Sequence, residues 1–270
     1  MASCNGNCSE CSSKCDKQDL RLPQGPFSNV KKVIGVVSGK GGVGKSLVTS
    51  LLASYTRARG SETAILDADV TGPSIPRSFG LFGHAEGDER GLLPAVTQTG
   101  IKIMSVNLLL EKEDQPVVWR GPVISGVIHQ FWQEVAWDDV DYMFVDMPPG
   151  TGDVPLTVFQ NLKVDGVIVV TTPQDLVGLI VKKAVNMANM MQVPVVGIVE
   201  NMSVFTCPDC GKQHRIFGES TADAAAAAVG TKVIASLPID PRTPALADKG
   251  AIELADTDAL EGVVDLLLKA

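Results

Sequence analysis

The sequence predicts an α/β protein, a doubly wound and mostly parallel sheet preceded by a short cysteine-rich arm. Three observations predict it. Apolar, β-rich runs with little alternation recur along the chain, separated by helical patterns, as strands covered on both faces require. The first run leads directly into a glycine-rich loop and the start of a helix. Residues 1–27, by contrast, are polar, include Gly6, Pro23, Gly25 and Pro26, and have no apolar period. They read as a flexible arm that only a bound metal would order, with the globular domain spanning residues 28–270.

The strands are expected in VIGVVS (Val33 to Ser38), TAILDA (Thr63 to Ala68), YMFVDM (Tyr142 to Met147), GVIVVT (Gly166 to Thr171), VVGIVE (Val195 to Glu200) and VIASLP (Val233 to Pro238). Helices are expected from Gly44 to Arg59, Val123 to Val135, Leu176 to Met190, Glu219 to Ala228 and Asp256 to Leu267. Within the fourth, the run Ala222 to Ala228 reads as a closely packed helix, since Ala is the best helix former. The segment Phe79 to Gly121, with GLLPAVTQTGIKIMSVNLLL, alternates like short strands and reads as an insertion with a hairpin.

A chain of 270 residues is close to the size at which one core stops growing, so one domain with an appendage is expected. Hydrophobic residues make up 45% and charged residues 20%, with mean hydropathy +0.17, which excludes a wholly disordered or collagen-like chain. No run approaches the roughly 18 apolar residues of a spanning helix, and the N-terminus has no apolar core for secretion. A cytoplasmic protein without a membrane partner is expected. Twenty-three Lys and Arg face 31 Asp and Glu, a net charge of −8 that argues against nucleic acid as a partner.

The strongest local signal is Gly39-Lys40-Gly41-Gly42-Val43-Gly44-Lys45-Ser46, followed by Leu47, which fits G-x-x-x-x-G-K-[ST] between a strand and a helix. Such a P-loop wraps phosphate oxygens in backbone amides at a helix N-terminus. Lys45 reaches the β and γ phosphates of ATP, and the Ser46 hydroxyl reaches Mg2+. Lys40 is a second lysine that an ordinary P-loop does not need. It reads either as a solvated loop cation or as a charge that reaches the nucleotide of a facing subunit, as an arginine finger does.

Acids stand at later strand ends, where ligands of open α/β sheets collect. In LDADVTGPSIP, Asp67 and Asp69 are one pleat apart and point the same way, toward Mg2+ and an attacking water. In MFVDMPPGTGD, Asp146 ends a strand as a Walker-B acid does, and Pro149-Gly150-Thr151-Gly152 forms a loop able to sense the γ phosphate.

GKGGVGKS, DADVTGPSIP, VVWRGP with the following QFW, and DYMFVDMPPGTGD together resemble the Mrp/ApbC family of iron-sulfur carrier ATPases. That family belongs to the deviant-Walker-A class with MinD, ParA and the nitrogenase iron protein. The resemblance runs from Val33 to about Leu267. It implies a dimeric ATPase that binds a labile [4Fe-4S] cluster and passes it to apo-proteins. By matching position, Lys40 resembles the lysine acting across the dimer, Asp69 the water-activating residue, and Asp67 and Asp146 the supports of Mg2+. Asn201 in GIVENMS resembles the adenine-contacting asparagine, and from its residues alone reads equally as a strand-terminating turn.

The six cysteines fall in two groups, which in a cytoplasmic chain reads as metal or cluster ligation. Cys207-Pro208-Asp209-Cys210 matches the CPxC of the family. Two thiolates cannot fill four sites, and a two-fold axis between identical subunits would supply two more. Zinc and a redox pair are the alternatives. Cys4, Cys8, Cys11 and Cys15 form C-x3-C-x2-C-x3-C, enough thiolates for a second [4Fe-4S] cluster or a zinc ion. His214 reads as a solvated loop residue, and Trp119, Trp132 and Trp137 as packing residues. Two rival functions stay open: a MinD- or ParA-like positioning ATPase, and an electron donor resembling the nitrogenase iron protein. The C-terminal DTDALEGVVDLLLKA has four acids and one lysine and reads as a packing helix, which disfavours the first.

Overall fold

A computed structural model describes residues 21–69, 72, 74–110, 121–174 and 177–269. In chain order its elements are β1 (Ser28–Ser38), α1 (Lys45–Ala58), β2 (Thr63–Asp67), α2 (Ile75–Ser78), β3 (Gly87–Asp88), β4 (Gly91–Leu92), β5 (Ala95–Val96), β6 (Lys102–Ser105), α3 (Gly121–Gln133), β7 (Asp138–Asp146), α4 (Asp153–Asn161), β8 (Gly166–Thr171), α5 (Val177–Met190), β9 (Val195–Glu200), β10 (Phe205–Thr206), β11 (Gln213–His214), α6 (Ala222–Ala228), β12 (Val233–Ser236), α7 (Arg242–Asp248) and α8 (Glu261–Lys269). Among the described residues, eight strands form one sheet in the order β12-β9-β8-β1-β7-β2-β6-β5. Every pairing in it is parallel except β5 with β6.

Period-two alternation assigns each strand residue to one of two cores. Val33 and Val37 of β1, Met143 and Val145 of β7, and Val167 and Val169 of β8 pack under α3, α4, α5 and α6. Ile34 and Val36, Phe144, and Ile168 and Val170 pack under α1, α2 and α8. Both faces are covered, so both sets are apolar, and each full burial of such a side chain contributes about 1.5–3 kcal/mol.

Three expectations are corrected. Within Phe79 to Gly121 the hairpin exists, as β3 and β4, but β6 is not part of an insertion: it pairs with β2 as a member of the main sheet. Residues 111–120, with Trp119, lie outside the described residues. Helices α4 and α7 were not expected, and α6 begins at Ala222, not Glu219. Residues 21–27, read as the end of a flexible arm, are strapped to the base of the domain. Leu22 N–H donates to Asn161 O at 2.7 Å, Trp132 Nε1–H donates to Leu22 O at 3.1 Å, and Gln24 exchanges two bonds with the backbone of Val30. Gly25 lies so close to α3 that a Cβ there would stand 2.3 Å from the Gln133 carbonyl oxygen.

Candidate functional site

Three adjacent strands, β1, β7 and β2, end at one edge of the sheet and bring their last residues together. The turn after β1 is the P-loop. Gly42 and Gly44 both have φ of 79°, left-handed values that favour glycine, and Gly44 serves as the N-cap of α1. A Cβ on Gly44 would also meet Asn201 Nδ2 at 2.3 Å. The loop borders a cleft of about 290 Å3 lined by Gly41, Gly42, Val43, Gly44, Lys45, Ser46 and Leu47, with Asp69 and Pro149 opposite. Its N–H groups and the N-terminus of a 14-residue helix make this concavity suited to phosphate.

Register fixes the acids. β2 pairs with β7 so that Asp67 faces Asp146 across the ladder. Asp146 is fully buried and accepts hydrogen bonds from the hydroxyls of Ser46 at 2.6 Å and Thr49 at 2.8 Å, and its Oδ2 lies 2.7 Å from Lys45 Nζ. Asp69 Oδ2 is 3.5 Å from the same ammonium. Asp67 accepts the Ser105 hydroxyl at 2.9 Å and the Asp69 N–H at 3.1 Å. Loss of water, and after it the negative charge of Asp146, push the Asp67 carboxyl up to about 8, against the opposing pull of Ser105, Lys45 and the Asp69 N–H. Lys45, Ser46, Asp67, Asp69 and Asp146 thus form one contiguous group. Its hydroxyl and carboxylate oxygens are the hard donors Mg2+ takes.

Gly39 and Lys40 do not line the cleft. The Lys40 ammonium donates to Gln174 Oε1 in the loop after β8, and the Lys40 carbonyl accepts the Ser38 hydroxyl at 3.0 Å. Asn201, just past β9, is 4% exposed; its amide donates to the Val43 carbonyl at 2.9 Å and its Oδ1 accepts the Met202 N–H at 2.9 Å. It therefore braces the P-loop from behind while terminating its own strand. Thr49, Ser105 and Gln174 were not anticipated. Only Thr49 carried a signal, standing three residues after Ser46 on one face of α1.

Six residues beyond Asn201 lies the first cysteine of the CPDC motif. Phe205 pairs with His214 and Thr206 with Gln213, so the motif forms the tip of a small hairpin. Cys207 N–H donates to Lys212 O and Gly211 N–H to Cys207 O, each at 2.9 Å. Cys207 is half-buried and Cys210 exposed, and both thiols are free. The N–H groups of Cys210 and Asp209 turn toward the Cys207 sulfur and hold its thiol below the usual range, favouring the thiolate that binds metal. Among the described residues no group of three His, Cys, Asp or Glu is placed to hold a metal ion, so His214 does not join the pair. Trp132 and Trp137 are buried packing residues, as expected. Cys4, Cys8, Cys11 and Cys15 lie outside the described residues.

A phosphate loop with its lysine, hydroxyl and acids on three neighbouring strand ends, set in a sheet wound on both faces, defines a P-loop NTPase. Within that class, residues 29–266 match the family model described as ParA: NUBPL iron-transfer P-loop NTPase, and the chain belongs to that family. An iron-sulfur cluster carrier protein of Clostridium perfringens is 46% identical over 222 residues, covering 79% of this chain and 78% of that one. An iron-sulfur cluster carrier protein of Methanocaldococcus jannaschii is 42% identical over 261 residues, covering 93% of this chain and 90% of that one. Among solved structures, a nucleotide-binding protein from Archaeoglobus fulgidus in complex with ADP superposes with a TM-score of 0.78 at 44% identity, over 86% of this chain and 91% of that one.

Proposed function

We propose that this chain is a cytoplasmic, ATP-dependent iron-sulfur cluster carrier. Two copies hold a labile [4Fe-4S] cluster as cargo between their Cys207 and Cys210 thiolates and pass it to apo-proteins. The observation that carries the reading is the placement of two free thiols, one half-buried and one exposed, on a hairpin tip at the same sheet edge as the P-loop. Two thiolates leave half of a cluster's four sites for a second subunit, and an exposed, shared cluster is one that can be released. The spacing of Cys4, Cys8, Cys11 and Cys15 supports a second [4Fe-4S] cluster in the arm.

In the ATPase cycle the P-loop amides from Gly39 to Leu47 and the Lys45 ammonium bind the phosphates. Ser46, Asp67 and Asp146 are the residues that hold Mg2+, which neutralises charge on the β and γ phosphates when bound. Asp69, at the mouth of the cleft, orients the attacking water. Lys40 leaves Gln174 and reaches the nucleotide of the facing copy. Asn201 carries the state of the loop toward the hairpin and borders the base of the nucleotide.

The first test is iron and acid-labile sulfide per chain after anaerobic purification. One arm cluster plus half of a bridging one gives about six of each. Cys207→Ala removes about two of each and leaves the rest. Unchanged iron in that variant overturns the shared site, and zinc without sulfide overturns the cargo.

A further inference from the structure

The segment that carries both cysteines leaves the sheet after Asn201 and returns at Ser220, which bonds the side chain of the residue before Asn201. Glu200, the last residue of β9, is 3% exposed. Its Oε1 accepts the Ser220 hydroxyl, and the Ser220 oxygen in turn accepts the N–H of Ala222, the first residue of α6, at 3.1 Å. Its backbone carbonyl accepts the Leu237 N–H at 2.8 Å. Burying a carboxyl is costly unless it is hydrogen-bonded, and this one does not line the phosphate cleft.

Its position gives it a use. The next residue, Asn201, grips the P-loop through Val43 and fixes Met202, whose φ of 59° is left-handed, through the Met202 N–H. A shift of the loop therefore moves the start of the outgoing limb. That limb is also tied to the strand beyond β12: the Ser203 N–H and hydroxyl both donate to Leu237 O at 2.9 Å, and the Ile239 N–H donates to Val204 O at 2.7 Å. The returning limb meets β9 at Glu200. A hairpin held at one end swings independently of its support, whereas one held at both ends turns with it.

We propose that Glu200 and Ser220 form a clip that makes the cysteine hairpin follow the P-loop, with Glu200 as a positioning residue acting through Asn201 on one side and Ser220 on the other. The inference rests on the carrier reading, in which the thiols respond to nucleotide. Coupling of this kind is a free energy shared by two sites, carried here by a contiguous run of hydrogen bonds.

The test uses the metal-free full-length protein and iodoacetamide. Alkylation of Cys207 and Cys210 is followed peptide by peptide by mass spectrometry, with and without ATP and Mg2+. In the wild type, nucleotide changes the rate about fivefold or more, the lower end of ordinary coupling. In Ser220→Ala and Glu200→Ala the change falls to within about twofold, while ATP affinity stays near wild type and a cooperative, if lower, melting transition shows that the chain is folded. In Glu200→Gln, whose amide oxygen still accepts the Ser220 hydroxyl, most of the response returns. Should Glu200→Ala fail to fold, Ser220→Ala, which removes a single hydroxyl, carries the test. A full response in Ser220→Ala overturns the clip and leaves the carrier reading standing. No response in the wild type overturns the clip and the nucleotide-responsive reading with it.

Discussion

Between Ser105 and the end of β7, Asp67 keeps its proton in the folded chain to about pH 8, whereas an unfolded aspartate loses it near its ordinary 3.8. Between those two values the folded state binds more protons than the unfolded one, so the Asp67 contribution to stability falls as pH rises through the window. Asp67→Asn removes that slope. The melting temperature of the nucleotide-free variant should change less between pH 5 and pH 8 than that of the wild type; an equal change refutes the assignment. Several residues of this site were legible because their roles are local. The glycines, Lys45 and Ser46 belong to one loop, and Asp146 ends its own apolar run. Ser105 and Gln174 were not legible, because the first reaches Asp67 across 38 residues of chain and the second reaches Lys40 across 134. Only the strand register creates those neighbours.

Among the elements, strands buried on both faces announced themselves as apolar runs, and the runs at Gly166–Thr171 and Val195–Glu200 match their strands end to end. Helix α4 was hidden by Pro155 and its β-branched neighbours. Pro155 sits in the first turn, where no N–H is needed, and the first bond of the helix starts from Leu156 N–H to Gly152 O. The strap at residues 21–27 was hidden because its ties, through the Leu22 backbone, the Gln24 amide and the Trp132 indole, follow no hydrophobic period. It bears on stability: with four hydrogen bonds lost at about 1 kcal/mol each, a chain beginning at Ser28 should melt on the order of 10 °C below one beginning at Arg21. Equal melting temperatures would show that the strap adds nothing.

Over the whole molecule, the expected doubly wound architecture holds, and the C-terminal helix is a packing element. Val263, Val264 and Leu267 of α8 lie in the core and the Leu267 carbonyl accepts the Tyr142 hydroxyl at 3.1 Å, so its apolar face is already used. Among the described residues no helix is long and apolar enough to cross a membrane. Within the proposed dimer, Lys40 serves the nucleotide of the facing copy and Lys45 its own. Lys40→Ala and Lys45→Ala chains, each inactive alone, should therefore regain ATP hydrolysis when mixed, up to about half of the wild-type rate per site. A mixture that stays inactive would place both lysines in the same active site.

The phosphate loop follows β1 and the cysteine hairpin follows β9, with only β8 between them in the sheet. One symmetry axis beside that edge can therefore join two copies through their nucleotides and through their thiolates. In the proposed dimer, cargo gripped by four thiolates would then tether the copies after nucleotide has left. Their next encounter would be intramolecular, at an effective concentration on the order of millimolar. A loaded carrier would rebind ATP as a pair at dilutions where empty chains drift apart, which gives the assembly a memory of its load.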